Sequence, residues 1–297
     1  MPASHRVLVF VLLLVLLCPV FARAGGDEAP DNGPVVRVGA GHVGRADLEN
    51  DRGAVSVTGG GAQVQYGPVR FNYAVDAYDW EDVDELPLGN GSDDPWDSLH
   101  QASLSLSHSD FVSRQWGWFA SAAAGAAWEK DMDDSFSAGL GGGALYQWSD
   151  SVVVRAGAHV SVHAVGVTVL PALGLSINQG AAGRGEEGWS ASLGVPVTEV
   201  RYGWSGQWAT RLSAAYESTL YRLADDSDVE RKGYLGVSAV RLGLYQDWLP
   251  VEALRLTLGL EYRFLRGLDV YNDDGEHRNG YGVDAAPGVA FGARYAF

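Results

Sequence analysis

The chain ends on GVAFGARYAF, and the two-residue period seen there recurs along most of its length. Val289, Phe291, Ala293, Tyr295 and Phe297 alternate with Gly288, Ala290, Gly292, Arg294 and Ala296. In RLTLGLEYRF, Leu256, Leu258, Leu260, Tyr262 and Phe264 oppose Arg255, Thr257, Gly259, Glu261 and Arg263. SVVVRAGAHVSVH and VRFNYAVDAY repeat the pattern. Successive side chains of a strand point to opposite faces, so these segments read as two-faced strands. Many exceed the roughly 5–6 residues of a globular strand and match the roughly 9–11 of a membrane-spanning one. A soluble sandwich would give shorter strands with broken alternation.

Fourteen such segments run over 35–43, 54–65, 69–79, 98–108, 115–128, 136–148, 151–163, 166–178, 188–194, 198–205, 207–222, 233–247, 251–267 and 285–297. A lipid-facing strand cannot leave backbone N–H and C=O groups unpaired, and only closure removes both sheet edges. The expected fold is therefore all-β, a closed antiparallel transmembrane β-barrel of about 14 strands, with 12 as the alternative count. The last strand must then pair with the first.

Connections supply a second line of argument. Such barrels have short periplasmic turns and longer outside loops. With Phe297 at the periplasmic side, 268–284, 223–232, 129–135 and 80–97 become outside loops, and all are long and acidic. Turns 248–250, 205–207, 149–150 and 67–68 become inside turns, and all are short. Residues 179–187, 164–165 and 195–197 depart from the rule. Trp116, Trp118, Trp148, Trp189, Trp204, Trp208 and Trp248 flank connections assigned to the periplasmic side. Indole prefers the membrane interface, where its N–H stays wet.

The N-terminus reads differently. His5 and Arg6 precede the apolar run VLVFVLLLVLLCPVF, and Ala22-Arg23-Ala24 follows as an A-x-A cleavage site. Residues 1–24 are expected to be a cleaved signal peptide, 25–34 a flexible leader, and 35–297 one barrel domain. Cleavage removes Cys18, so neither a disulfide nor a thiol is expected in the mature chain. It also removes Arg6 and Arg23, leaving 21 − 2 = 19 bases against 37 acids. That acidity argues against nucleic-acid partners.

The closing Tyr295-Ala296-Phe297 resembles the C-terminal signal by which the assembly machinery recognises outer-membrane barrels. The body resembles a family of Gram-negative outer-membrane β-barrel proteins defined as a domain of unknown function. The stretches that carry this are LGGGALYQWSDSVVVRAGAHV, VLPALGLSI, LGVPVTEVRYGWSGQWATRLSAAYESTLYRLADD and VRLGLYQDWLPVEALRLTLGLEYRF. The resemblance implies fold and cell outer membrane location, and it carries over no catalytic residue. The C-terminal signal implies the assembly machinery as a partner, and outer-membrane lipid or lipopolysaccharide is expected around the barrel.

The lumen stripes hold Arg37, Arg70, Arg155, Arg201, Arg211, Arg241, Arg255, Arg263 and Arg294 against Asp76, Glu199, Glu217 and Glu261. A basic lumen reads either as an anion-favouring pore or as a ladder of ion pairs that fills the barrel. His159, Ser161 and His163 share the lumen face. The two histidines are about 13 Å apart along the strand, too far for one metal with bonds of about 2 Å. A Ser–His catalytic pair here is a lesser reading. The acidic loops suggest divalent cations bridging to lipopolysaccharide, or simply a hydrated rim. The glycine runs match no phosphate-binding pattern, so neither cofactor nor resident metal is expected. The resulting expectation is a monomeric, passive pore for small solutes and not an enzyme. A filled structural or surface-interaction barrel comes second, and a lipid-modifying enzyme third.

Overall fold

A computed structural model describes residues 33–49, 52–178 and 187–297. The expected signal peptide, most of the leader and residues 179–186 lie outside the described residues. The strands are β1 (Val35–Asp47), β2 (Ala54–Tyr66), β3 (Val69–Glu81), β4 (Ser98–Phe111), β5 (Trp116–Trp128), β6 (Phe136–Ser149), β7 (Val152–His163) and β8 (Gly166–Ile177). There follow β9 (Gly188–Gly194), β10 (Val197–Gly203), β11 (Trp208–Arg222), β12 (Tyr234–Val251), β13 (Leu254–Tyr271), β14 (His277–Val283) and β15 (Ala286–Ala296).

Each strand from β1 to β13 pairs antiparallel with the next, and β13 pairs with both β14 and β15. The last two are halves of one barrel strand, interrupted at Asp284 and Ala285. β15 then pairs with β1 from Val35↔Ala296 to Val43↔Gly288. Fourteen strands thus close the ring. The residues of GVAFGARYAF are hydrogen-bonded wall on both sides, which is why the chain end keeps a strand's period.

The two faces differ as the alternation requires. Phe71, Leu104, Leu140, Leu212, Leu258 and Phe291 point outward and are exposed. A contiguous apolar belt of this kind is stable only against lipid. One end of the barrel carries the start of β1, the C-terminal Phe297 and short turns. The seven tryptophans expected at that terminal end all lie there and are exposed.

The opposite, loop end departs from expectation in two ways. Residues 268–284 are not a long loop. β13 runs on to Tyr271 and β14 begins at His277, leaving only 272–276 as a turn. Leu268 and Val270 are buried opposite Val237 and Leu235, so burial rather than the acidic tip decides this segment. The Glu276 N–H donates to Asn272 Oδ1 at 2.6 Å and tightens the turn.

The second departure is the 82–97 connection. It folds inward and joins an apolar core at the loop end of the barrel. Trp96 packs edge-on against Trp80, with ring centroids 4.9 Å apart. The Trp80 Nε1–H donates to the Trp96 carbonyl at 2.9 Å. Leu48, Leu88, Leu99, Tyr221 and Leu235 are buried around them. The acidic residues of this segment ride on an apolar underside.

Candidate functional site: the lumen

The strand registers place Arg70, Asp76, Arg155, His159, His163, Arg201, Arg211, Glu217, Arg255, Glu261, Arg263 and Arg294 on the inner face. Three layers follow from the terminal end towards the loop end.

In the first layer, arginines face arginines. Arg37 of β1 lies directly opposite Arg294 of β15, and Arg294 lies directly opposite Arg255 of β13. Three guanidinium groups therefore stand abreast on consecutive strands. Arg70 and Arg37 both donate to Gln65 Oε1, at 3.4 and 3.5 Å. Arg201 is 4% exposed and lies among this side of the lumen with its Nε unpartnered. No ion pair joins Arg37, Arg70, Arg201, Arg255 or Arg294 to an acid among the described residues. Like charges directly opposite on a sheet repel, so this row is held together against its own charge.

The second layer is neutralised. Arg211 Nε meets Asp247 Oδ2 at 2.8 Å and Arg211 Nη1 meets Glu199 Oε2 at 2.7 Å. Thr257 donates to Asp247 Oδ1 at 2.7 Å. Further along, Arg241 Nε meets Glu217 at 2.7 Å and its Nη1 meets Glu261 at 3.2 Å. Tyr245 donates to Glu261 at 2.7 Å and also contacts Arg241. Arg263 reaches Glu261 at 3.7 Å. Asp247 is 0% exposed, so its charge is tenable only with these partners.

Glycines shape the remaining wall. Gly39, Gly41, Gly59 and Gly61 line a cavity of 610 Å3 that extends from Arg37 to Arg241 and Arg263. On the other side, the Phe119 ring lies within 2.7 Å of where a Cβ at Gly143 or Gly157 would stand. The Arg155 guanidinium sits 4.6 Å over that ring. Only glycine leaves room for this stack.

The third layer is the apolar core. A cavity of 470 Å3 lies beside it, lined by Val57, Trp80 and Tyr221 of the core and by Asp76, Glu217 and Arg263 of the polar wall.

His159 and His163 are brought into neither a metal site nor a catalytic pair. His163 Nε2 lies 3.2 Å from Thr168 Oγ1. Among the described residues no cluster of three His, Cys, Asp or Glu side chains could hold a metal. Tyr295 and Phe297 lie outward at the terminal rim, with ring centroids 4.7 Å apart and edge-on. The expected lumen residues did not include Asp247, the most buried acid among the described residues. The period Arg241, Gly243, Tyr245, Asp247 would have found it.

No protein-family model matches the chain, and no curated protein does. Among solved structures it is similar to an outer membrane channel from Pseudomonas putida F1, with TM-score 0.42, 7% identity, 91% of this chain and 100% of that chain covered. NanC porin gives TM-score 0.39 and 8% identity over 88% and 100%. The outer membrane protease OmpT from Escherichia coli gives TM-score 0.29 and 7% identity over 92% and 99%.

Proposed function

We propose that this barrel resides in the cell outer membrane with its termini towards the periplasm and acts as a passive channel for small anionic solutes. The observation that carries this reading is the row Arg37, Arg294 and Arg255, joined by Arg70 and Arg201 without acid partners. Fixed rings of one charge sign select for the other. The deeper pairs Arg211–Asp247 and Arg241–Glu217 are already neutralised and contribute wall rather than selectivity.

The apolar core favours a second reading, a barrel with a filled lumen and no transport. Planar-bilayer recording of the refolded protein separates the two. Stepwise currents carried mainly by anions support the channel. Silence across salts and voltages supports the filled barrel.

A further inference from the structure

We infer that the barrel wall is open to the membrane between β8 and β11, and that this window admits the acyl chain of an outer-leaflet amphiphile. The inference rests on the wall of the barrel and stands whether or not the lumen conducts ions.

The opening follows from strand lengths. β8 has twelve residues and β11 fifteen, but β9 and β10 between them have seven each. β9 pairs with β8 only over 174–177. β10 pairs with β11 only over 209–215. Above the turn at Val195 and Pro196, residues 166–172 of β8 have no strand on that side. Residues 217–221 of β11 have none either. Higher up, β11 is joined instead to β5 by the Arg222↔Trp128 bridge and the Glu129 N–H to Arg222 carbonyl bond of 3.0 Å. The gap is thus a window with a roof, two sides and a floor.

A cavity of 550 Å3 sits at this window, within the roughly 300–1,000 Å3 range of ligand pockets. It touches Ser161 and His163 on the inner face of β7. It also touches Ser218 and Leu220, which lie on the outward face of β11. The cavity thus lies against the unpaired stretch of β11, with Thr219 between Ser218 and Leu220, and reaches across to the end of β7.

Height puts the window inside the apolar band. Its floor lies four residues from the terminal end of β8, counting Leu173 to Ile177, and seven from that of β11, counting Ala215 to Trp208. At about 3.3 Å per residue and 45° tilt, this is roughly 9–16 Å above the tryptophan girdle, in a band about 25 Å tall. Lipid is therefore the neighbour. Val167, Val169 and Tyr216 beside the window are exposed apolar surface.

The chemistry suits an amphiphile. Each unpaired backbone group in hydrocarbon costs several kcal/mol, so the two free edges need polar company. Ser161, Ser218 and Thr219 offer hydroxyls. The His163 Nδ1 is buried without a partner. A chain lying on Val167 and Val169, with its polar end among these groups, satisfies both demands.

Site-specific fluorescence tests this. In full-length chain with Cys18→Ser, cysteines at Ser161 or Thr219 are labelled with a small environment-sensitive fluorophore. The folded barrels go into phosphatidylcholine vesicles containing doxyl-labelled phosphatidylcholine. Ser105→Cys, on the inner face of β4 opposite Arg70, is the closed-wall control. Quenching at positions 161 and 219 should exceed that at 105 at least twofold. Quenching by aqueous iodide alone at both positions, with doxyl lipid no more effective than at 105, overturns the proposal. Two positions on different strands guard against one variant failing to fold.

Discussion

Arg37 of the first barrel strand stands directly across the closing seam from Arg294 of the last. A directly opposed pair of like charges therefore lies on the seam that converts a sheet into a barrel. That arrangement costs stability unless an anion is near.

Arg294→Gln should therefore raise the thermal unfolding midpoint of the detergent-folded barrel at low salt. The expected gain is about 0.2–1 kcal/mol, the scale of a directly opposed pair. Added citrate or phosphate should raise the midpoint of the unaltered protein and shrink the difference. An Arg294→Gln protein less stable at every salt concentration would mean that the row is held by partners within the wall.

Asp247→Ala should be far more damaging. It leaves the Arg211 guanidinium, inside the wall, with Glu199 alone and strips Thr257 of its acceptor. Breaking a buried pair on one side costs about 3–5 kcal/mol. Arg211→Leu/Asp247→Leu should recover part of the loss. Chemical unfolding of the three proteins reads the difference.

Trp96→Ala should cost about 3–5 kcal/mol, as for other buried aromatic truncations. Trp96 is among the most buried side chains and lies in a connection, not a strand. A change below 1 kcal/mol would mean that the 82–97 segment is a loose cover.

Glu129 gives a pH signature. Burial pushes its carboxyl up, against the downward pull of the Ala224 N–H that donates to it at 2.8 Å. A carboxyl raised in the folded state contributes stability that is complete below its ordinary value and is lost as pH rises through the folded one. Glu129→Gln keeps an acceptor for Ala224 and removes the charge. It should protect the β5–β11 bridge at pH 7 and match the unaltered protein below the ordinary carboxylate range. Hydrogen exchange at Ala224 across that range checks this.

Deleting Phe297 should lower the amount of assembled barrel in the membrane more than it alters the barrels that form. Quantifying folded protein in membrane fractions tests it. Normal levels would detach the chain end from assembly.

Much of this architecture was readable in the residues. A two-residue period over most of the chain demands long two-faced strands, and closure follows from the cost of an open edge in lipid. Strand ends were less readable. β13 and β14 continue through residues that look like an acidic loop, because Leu268 and Val270 bury inward. The core at the loop end was hidden for the same reason. Trp80, Val83, Leu86, Leu88 and Trp96 are its apolar signal in WEDVDELPLGNGSDDPWD, scattered among acids without a strand's period. Which arginines stand free was not readable at all. Arg211 finds Glu199 twelve residues back and Asp247 thirty-six ahead, while Arg37 faces Arg294 and meets no acid among the described residues. Those pairings depend on register between strands, which alternation within a strand does not specify.

The claim at the centre is that the unpaired arginines set the charge of what passes. Reversal potential across a tenfold potassium chloride gradient tests it most directly, for the unaltered barrel and for Arg37→Glu/Arg255→Glu/Arg294→Glu. The unaltered barrel should give an anion-selective potential, and the triple variant one of opposite sign. An unaltered barrel that conducts without anion preference, or a triple variant with unchanged sign, would contradict it.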